Sequence, residues 1–135
     1  MINLSSTTEP ILGFPVSEIK KIGMMLFGES ENLEIYQVIE ILILLLLKQL
    51  GFDVQNIQII LKKFSLGLKK AIEEGIEGKY AGSIQILDNK YVILNGFKEV
   101  FDLETLTFVE IIRPPIFSFA ISIDGLIRDL KDLLI

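Results

Sequence analysis

Glu34 to Leu50 have the sequence EIYQVIEILILLLLKQL, and Gly51 follows them. The apolar residues of this stretch have the i, i+3, i+4, i+7 spacing of a helix, and they also occupy its other faces. A helix that is apolar nearly all round is either a core helix or a membrane span. A span needs roughly 20 apolar residues, and Glu40 and Lys48 bracket a shorter run, so we expect a core helix. The alternative is a helix that buries its extra faces against a second subunit.

The composition of the chain predicts one domain that associates with a copy of itself. The chain has 135 residues, which is enough for a single domain with its own core. Hydrophobic residues make up 50% of it, and the mean hydropathy is +0.53. A monomer of this size would leave part of its apolar surface exposed, and large exposed patches usually form interfaces. We therefore expect a homo-oligomer, most simply a two-fold dimer.

The chain contains no Cys and no His. Without Cys there are no disulfides and no thiolate metal sites, and without His the usual general base and the commonest metal ligand are missing. The serines therefore have no histidine to activate them, and the glycines do not form a phosphate-binding motif. We expect neither an enzyme nor a bound cofactor or metal ion.

The net charge and the N-terminal sequence bear on DNA binding and on the location of the protein. The net charge is −5, so any contact with DNA must come from a local basic patch. The N-terminal MINLSSTTEP lacks the basic start and the apolar core of a signal peptide, and we expect a cytoplasmic location without a membrane span. A low content of Asn and Gln beside much Ile, Glu and Lys favours a thermophilic source.

The periodicity along the chain predicts an α+β fold. Residues 1–13 form an irregular arm that is punctuated by proline and glycine. Residues 14–78 form a helical region, and residues 79–135 form a β meander with a C-terminal strand and helix. We expect these regions to pack as one domain.

The helical region contains two further predicted helices around the central one. Ser17 caps a short first helix, Gly23 stops it, and the apolar Met24 to Phe27 then dock on the central helix. Asp53 caps a third helix that runs to about residue 74, with Gly67 as a place for a bend.

The hydrophobic period changes from 3.6 to 2 at about Gly82. Three turn signals separate four antiparallel strands: Asp88-Asn89, Asn95-Gly96 and Glu104-Thr105. The alternation from Phe117 to Ile123 predicts one more strand, and Asp124 caps a final helix with an apolar side.

Two surfaces are candidates for binding. The last strand could add to a sheet edge of another chain; together with the final helix, this candidate interface comprises Phe117, Phe119, Ile121, Ile123, Leu126, Leu130 and Leu134. The third helix carries lysines that could contact DNA phosphates or could simply keep a charged face in water; these are Lys62, Lys63, Lys69 and Lys70.

Two acidic clusters also occur, around Glu29 to Glu34 and around Glu73 to Glu77. Carboxylates so close together could bind a divalent cation, but at helix ends they are more often solvated caps.

Three segments of the helical region resemble the MerR-like helix-turn-helix family. Val16–Gly23 (VSEIKKIG) is similar to the family's first helix, and Ile35–Leu42 (IYQVIEIL) is similar to its third. Leu50–Ile57 (LGFDVQNI) resembles the connection into its fourth helix. The helix order and a hairpin that ends in Val100–Leu103 also resemble VapB-type antitoxins, in which a MerR-like domain precedes a small β-element and a toxin-neutralising tail.

The resemblance implies a reduced form of that domain. The family has a DNA-reading helix and a wing between its first and third helices, whereas this chain has only Met24 to Leu33 there, without Arg or Lys. Contacts with phosphates and base edges need such donors. A domain kept for dimerisation or for partner binding is the expected result.

Two functions remain open at this point. The first is a small regulatory or antitoxin-like protein that acts as a dimer and binds a partner protein and, through the four lysines, DNA. The alternative is a non-enzymatic oligomeric interaction or assembly module without nucleic-acid binding. A peripheral membrane protein is a third option, which the core-like apolar stripe of the basic helix disfavours.

Overall fold

The structure is a computed structural model, and it describes residues 2–94, 100–110 and 114–131. The helices are α1 (Val16–Phe27), α2 (Ile35–Gln49), α3 (Val54–Lys63), α4 (Ser65–Ile76) and α5 (Ile123–Leu130). The strands are β1 (Ile2–Asn3), β2 (Asn32–Leu33), β3 (Ser83–Leu87), β4 (Tyr91–Leu94), β5 (Val100–Asp102), β6 (Thr107–Val109) and β7 (Ser118–Ser122). The predicted α+β class is confirmed: helices come first, then an antiparallel meander and a C-terminal helix.

Helix α2 is the centre of the core. Ile35, Val38, Ile39, the run Ile41–Leu45 and Leu47 are all buried. Contacts with α1, α3, α4 and α5 cover its faces. The core interpretation is therefore confirmed, and no second subunit is needed to cover this helix. Across the described ranges, none of the helices has the length and apolar character needed to cross a membrane.

Helix α1 is longer than the sequence predicts. It begins at Val16 after Pro15, without a side-chain cap from Ser17, and it ends at Gly28, whose φ of 69° is left-handed. Gly23 does not stop the helix. A Cβ at Gly23 would lie 2.9 Å from the carbonyl oxygen of Glu29, so the glycine lets the following loop pack against the helix. Of the patch Met24 to Phe27 that was predicted to dock on α2, Leu26 and Phe27 pack against the core, whereas Met24 and Met25 are about half exposed.

The predicted third helix is in fact two helices. Asp53 caps α3, as expected, by accepting a hydrogen bond from Gln55 N–H at 2.8 Å. The chain changes direction at Phe64, where φ is −99° and ψ is 7°, and not at Gly67. The buried ring of Phe64 lies edge-on to Phe101 and Phe108, with centroid distances of 6.3 and 5.8 Å. This aromatic contact with the sheet accounts for the position of the bend.

The main sheet is antiparallel, with the strand order β6-β5-β4-β3-β7. Two residues with positive φ, Asp88 (52°) and Asn89 (53°), form the predicted turn between β3 and β4. Asp and Asn tolerate this left-handed region, and Lys90 N–H closes the turn by donating to the Leu87 carbonyl at 2.9 Å. The Glu104-Thr105 turn is also present, between β5 and β6. The predicted Asn95-Gly96 turn and the predicted strand ends at Phe97 and Ile112 lie outside the described residues.

Strand β7 leaves the meander and returns to pair with β3 at the far edge of the sheet. Helix α5 follows it directly and packs against α4. Gly75 of α4 makes this approach possible, because a Cβ there would overlap Ile127 and would lie 2.8 Å from Ala81.

The N-terminal residues are attached to the helical region. Strand β1 pairs antiparallel with β2, and Leu4 N–H donates to the carbonyl of Glu31 at 2.7 Å. Ile2 and Leu4 are buried. The arm predicted over residues 1–13 thus begins with a short strand that contributes to the core.

Candidate functional site

The residues of the candidate interface divide into two groups. Ile121, Ile123, Leu126 and Leu130 are buried in the core of this chain. Phe117 is 49% exposed, and Phe119 is partly buried against Phe52, with 6.4 Å between the ring centroids. Leu134 lies outside the described residues. The surface that is available to another molecule is therefore the start and the outer edge of β7, and not the apolar side of α5.

Main-chain hydrogen bonds define which groups of β7 point outward. On the β3 side, Asp88 N–H donates to the Phe117 carbonyl at 3.0 Å, and Ile123 N–H donates to the Gly82 carbonyl at 2.9 Å. Because the main-chain groups of an antiparallel strand alternate in direction, the odd-numbered residues of β7 face β3. The residues whose N–H groups point outward are therefore Ser118, Ala120 and Ser122.

This outer edge of β7 has no neighbouring strand in the part of the chain that the structure describes. Edge strands of natural proteins are usually protected by charge, by proline or by a bulge, because their free N–H and C=O groups pair readily with other strands. Strand β7 has the sequence SFAIS, which contains no charge and no proline. The arrangement can therefore bind an extended chain through main-chain hydrogen bonds.

The start of β7 is held by Asp88. One carboxylate oxygen of Asp88, Oδ1, accepts hydrogen bonds from Ile116 N–H at 2.9 Å and from Phe117 N–H at 3.0 Å. The Ile116 side chain is left 93% exposed beside the edge. Ile116 and the role of Asp88 were not predicted, although the position of Ile116 after Pro114-Pro115 and before the alternating strand is a usable signal.

The end of β7 is held by Ser122 and Asp124. Ser122 is the N-cap of α5, and its Oγ accepts a hydrogen bond from Gly125 N–H at 2.9 Å. The prediction that Asp124 caps this helix was wrong. Asp124 instead accepts hydrogen bonds from Ala81 N–H at 2.9 Å and Gly82 N–H at 2.8 Å, which lie just before β3. Both ends of β7 are thus fixed, and the edge is presented in a defined position.

The four candidate DNA-binding lysines lie on two helices. Lys62 and Lys63 end α3, whereas Lys69 and Lys70 lie on α4, and all four are exposed. The Lys69 ammonium lies 4.8 Å from the centre of the Tyr36 ring. The bend at Phe64 therefore divides the predicted single basic face into two pairs.

Glu40 lies near Lys69 and is one of two buried acidic residues among those described. Only 8% of its surface is exposed. Burial raises the pKa of the Glu40 carboxyl from 4.5 to about 7, and the charge of Lys69 partly opposes that increase. A carboxyl in such a position titrates near neutral pH, but α2 and α4 shield it from solvent.

The residues of the first acidic cluster, Glu29 to Glu34, bind groups that lie near them in the structure. Oε1 of Glu29 accepts hydrogen bonds from Glu31 N–H and Asn32 N–H; the bond from Asn32 is the main cause that lowers the pKa of Glu29. Glu31 pairs with Lys20 at 3.3 Å. Glu34 is the N-cap of α2, and its N–H donates to the Gln37 side chain at 2.8 Å. In the described ranges, no group of three or more acidic residues is arranged to hold a metal ion.

An open cleft of about 330 Å³ lies between the start of α1 and the end of α2. It is lined by Gly13, Phe14, Pro15, Glu18, Leu45, Lys48 and Gln49. Glu18 and Lys48 are its charged groups, and no nucleophile or paired carboxylate accompanies them. The cleft therefore offers less for a functional assignment than the β7 edge does.

Comparisons of this chain with protein-family models, with curated proteins and with solved structures find no match. The function has to be inferred from the residues and geometry of the chain itself.

Proposed function

We propose that this protein is a non-enzymatic interaction protein whose β7 edge binds an extended strand of a protein partner. The observation that carries the proposal is the uncharged outer edge of β7, where the N–H groups of Ser118, Ala120 and Ser122 point away from β3. The absence of His and Cys from the sequence supports a function without catalysis. The regulatory or antitoxin-like role that the family resemblance implies is one form of such partner binding.

The region between α1 and α2 differs from the MerR-like family. Between α1 and α2 the chain has a turn and the short strand β2, at the place where that family has its DNA-reading helix. The β7 edge does not depend on this ancestry. We expect the partner in the cytoplasm, in keeping with the sequence prediction.

A proline at Ala120 tests the proposal. The Ala120 N–H points outward, so Ala120→Pro removes a donor from the edge and leaves the ladder with β3 intact. Added strands are held mainly by main-chain hydrogen bonds, so their binding tolerates many sequences. We expect strand binding, by a second chain or by labelled eight-residue alternating peptides, in the wild type and not in Ala120→Pro. Fluorescence anisotropy measures the binding of the labelled peptides, and sedimentation measures the association of two chains.

The control for this experiment is Ala120→Val, which keeps the N–H and favours the strand conformation. We expect this variant to bind like the wild type. Equal binding by the proline variant, or no strand binding by the wild type at millimolar peptide and no self-association, contradicts the proposal.

DNA binding is the second candidate function, and the observation that favours it is the exposure of Lys62, Lys63, Lys69 and Lys70 on adjacent helices. A phosphate contact surface gives an affinity that falls steeply with salt. Anisotropy of labelled duplex DNA at about 50 and 200 mM salt measures this dependence. Binding that is lost when all four lysines are changed to glutamine supports this function, and no binding at the lower salt concentration excludes it.

A further inference from the structure

We infer that the strand that occupies the β7 edge is β7 of a second copy of this chain, paired antiparallel about a two-fold axis at Ala120. The inference rests on the function proposed above and names the partner of the same edge. In this pairing Ala120 lies opposite Ala120 of the second copy, and Ser118 lies opposite Ser122. The sheets of the two copies then join into one continuous antiparallel sheet.

The direction of the main-chain groups permits this register. The Ala120 N–H and C=O groups point outward in both copies, so the two Ala120 residues can exchange a pair of hydrogen bonds. Ser122 N–H of each copy can donate to the Ser118 carbonyl of the other. The Ser122 carbonyl belongs to the first turn of α5, because Ser122 is the N-cap. No change in the backbone of β7 is required.

The side chains of β7 suit a two-fold pairing because their order is nearly the same in both directions. Serine is at each end, alanine is at the centre, and a large apolar residue lies between them on each side. The two-fold axis places Phe119 opposite Ile121 of the second copy. These two residues form a non-hydrogen-bonded pair, in which opposite Cα atoms approach to about 4.5 Å. Aromatic and β-branched side chains stabilise each other across such a pair.

Charge also favours a second copy at this edge. Each chain carries a net charge of −5, so two copies repel each other at most orientations. Residues 114–123, PPIFSFAISI, contain no charged side chain. The β7 edge therefore gives two copies a neutral strip along which they can meet without opposing like charges.

The apolar side chains beside the edge contribute the remaining contact area. A stable interface buries about 800 Å² on each partner, roughly a tenth of the 7836 Å² surface of this chain. A strand of five residues spans about 17 Å, so its edge alone supplies only part of that area. Phe117 and Ile116 precede Ser118, so in this register they lie next to the place where β7 of the second copy ends and its α5 begins. The dimer thus covers two of the exposed large apolar side chains of this chain, Ile116 at 93% and Phe117 at 49%.

Single cysteines test the register directly, because the natural chain has none. Opposite residues in a hydrogen-bonded antiparallel pair have Cα atoms about 5.5 Å apart, within the range of a disulfide. We expect Ala120→Cys to form a disulfide-linked dimer on mild oxidation. Ser118→Cys alone should not cross-link, because its counterpart is four residues away along the strand. A mixture of Ser118→Cys and Ser122→Cys chains should cross-link as a heterodimer.

The matched control is Gln85→Cys. Gln85 is exposed on the same face of the sheet and pairs with Ala120 in the β3–β7 ladder, but it lies one strand away from the edge. In the proposed dimer the two Gln85 residues are separated by three strand spacings, about 14 Å. We therefore expect no cross-link, and circular dichroism of all four variants verifies that their fold is retained.

Other outcomes distinguish the homodimer from strand binding at the β7 edge in general. A wild-type monomer that still binds strand peptides in a proline-sensitive manner overturns the homodimer and leaves the proposed function in place. A monomer without peptide binding overturns both. A dimer in which Ser118→Cys or Gln85→Cys cross-links, and Ala120→Cys does not, overturns the pairing at Ala120.

Discussion

Glu40 is a carboxyl group inside the central helix of the core. Its neighbours in the chain, Ile39 and Ile41, are buried, and the positive charge that acts on it from another helix is that of Lys69 on α4. Because burial penalises the charged form, the pKa of Glu40 rises to about 7. The folded protein then holds a proton at this site at pH values where the unfolded chain has lost it.

This burial predicts a pH dependence of stability. Between about pH 4.5 and 7 the unfolded chain ionises Glu40 and the folded chain does not, so the free energy of unfolding falls as the pH rises. Above pH 7 the free energy of unfolding no longer falls through Glu40, because the carboxyl is ionised in both states. We expect Glu40→Gln to be about 1–3 kcal/mol more stable than the wild type at pH 8, and nearly equal to it at pH 4.5. Urea denaturation at the two pH values measures the difference.

The control for this prediction is Glu73→Gln, which removes one negative charge from an exposed position of α4. It should change stability by less than about 0.5 kcal/mol at either pH. A Glu40→Gln variant whose advantage is the same at pH 4.5 and pH 8 would show that folding does not raise the pKa of Glu40.

At the scale of single elements, β7 is attached to β3 at both ends by acidic side chains, Asp88 just after β3 and Asp124 just after β7. Asp88 binds the N–H groups of Ile116 and Phe117 across 28 and 29 residues of sequence. Asp124 binds the N–H groups of Ala81 and Gly82 across 43 and 42 residues. These contacts hold the outer edge of the strand straight and in register with β3.

Removal of the Asp88 carboxylate should therefore loosen the start of β7. Asp88→Ala removes the acceptor of two exposed N–H groups, which water can then solvate, and places alanine at a φ of 52°, so we expect a loss of about 1–2 kcal/mol in stability. Asp88→Asn keeps a carbonyl acceptor and tolerates positive φ, so its loss should be about 1 kcal/mol or less. Amide hydrogen exchange at Ile116 and Phe117, with urea denaturation, distinguishes the two variants. Equal exchange rates in wild type and Asp88→Ala would contradict this role.

The elements also show what the sequence can and cannot predict. Helix α2, the Asp53 cap and the Asp88-Asn89 turn were predicted correctly, because each depends on residues that are close together in the chain. The continuation of α1 through Gly23, the bend at Phe64 and the role of Asp124 were missed. Each depends on a group that is distant in sequence or outside the helix: the Glu29 carbonyl, the rings of Phe101 and Phe108, and the N–H groups of Ala81 and Gly82.

The candidate site shows the same limit. The alternation of apolar and small residues predicted the strand from Phe117 to Ile123, and its apolar residues were predicted to form an interface. Periodicity identifies an apolar face but does not say which surface covers it. In the structure the sheet and helices of the same chain bury Ile121, Ile123 and Leu126. The small residues that alternate with the apolar ones along β7, Ser118, Ala120 and Ser122, provide the outward N–H groups.

At the scale of the whole molecule, one chain covers most of its own apolar surface but not all of it. Helix α2 and its neighbours bury most of the large apolar residues within one chain. Several remain exposed, including Ile116 and Phe117 beside β7 and Leu66 on α4. The proposed dimer would cover the first two, whereas Leu66 lies on the helix that carries Lys69 and Lys70. The β7 edge and the lysine-bearing helices are separate surfaces, so the protein can be changed at one without direct change to the other.

Sedimentation equilibrium of the wild type, Ala120→Lys and Gln85→Lys is the most direct test of the β7 interface. Both substitutions add one lysine to the exposed face of the sheet, but only Ala120→Lys places two lysines opposite each other at the two-fold axis. We expect the wild type and Gln85→Lys to have twice the 15.2 kDa mass of one chain, and Ala120→Lys to have the mass of one chain. A wild type that stays at 15.2 kDa at every concentration, or an Ala120→Lys variant that remains a dimer, would contradict the account.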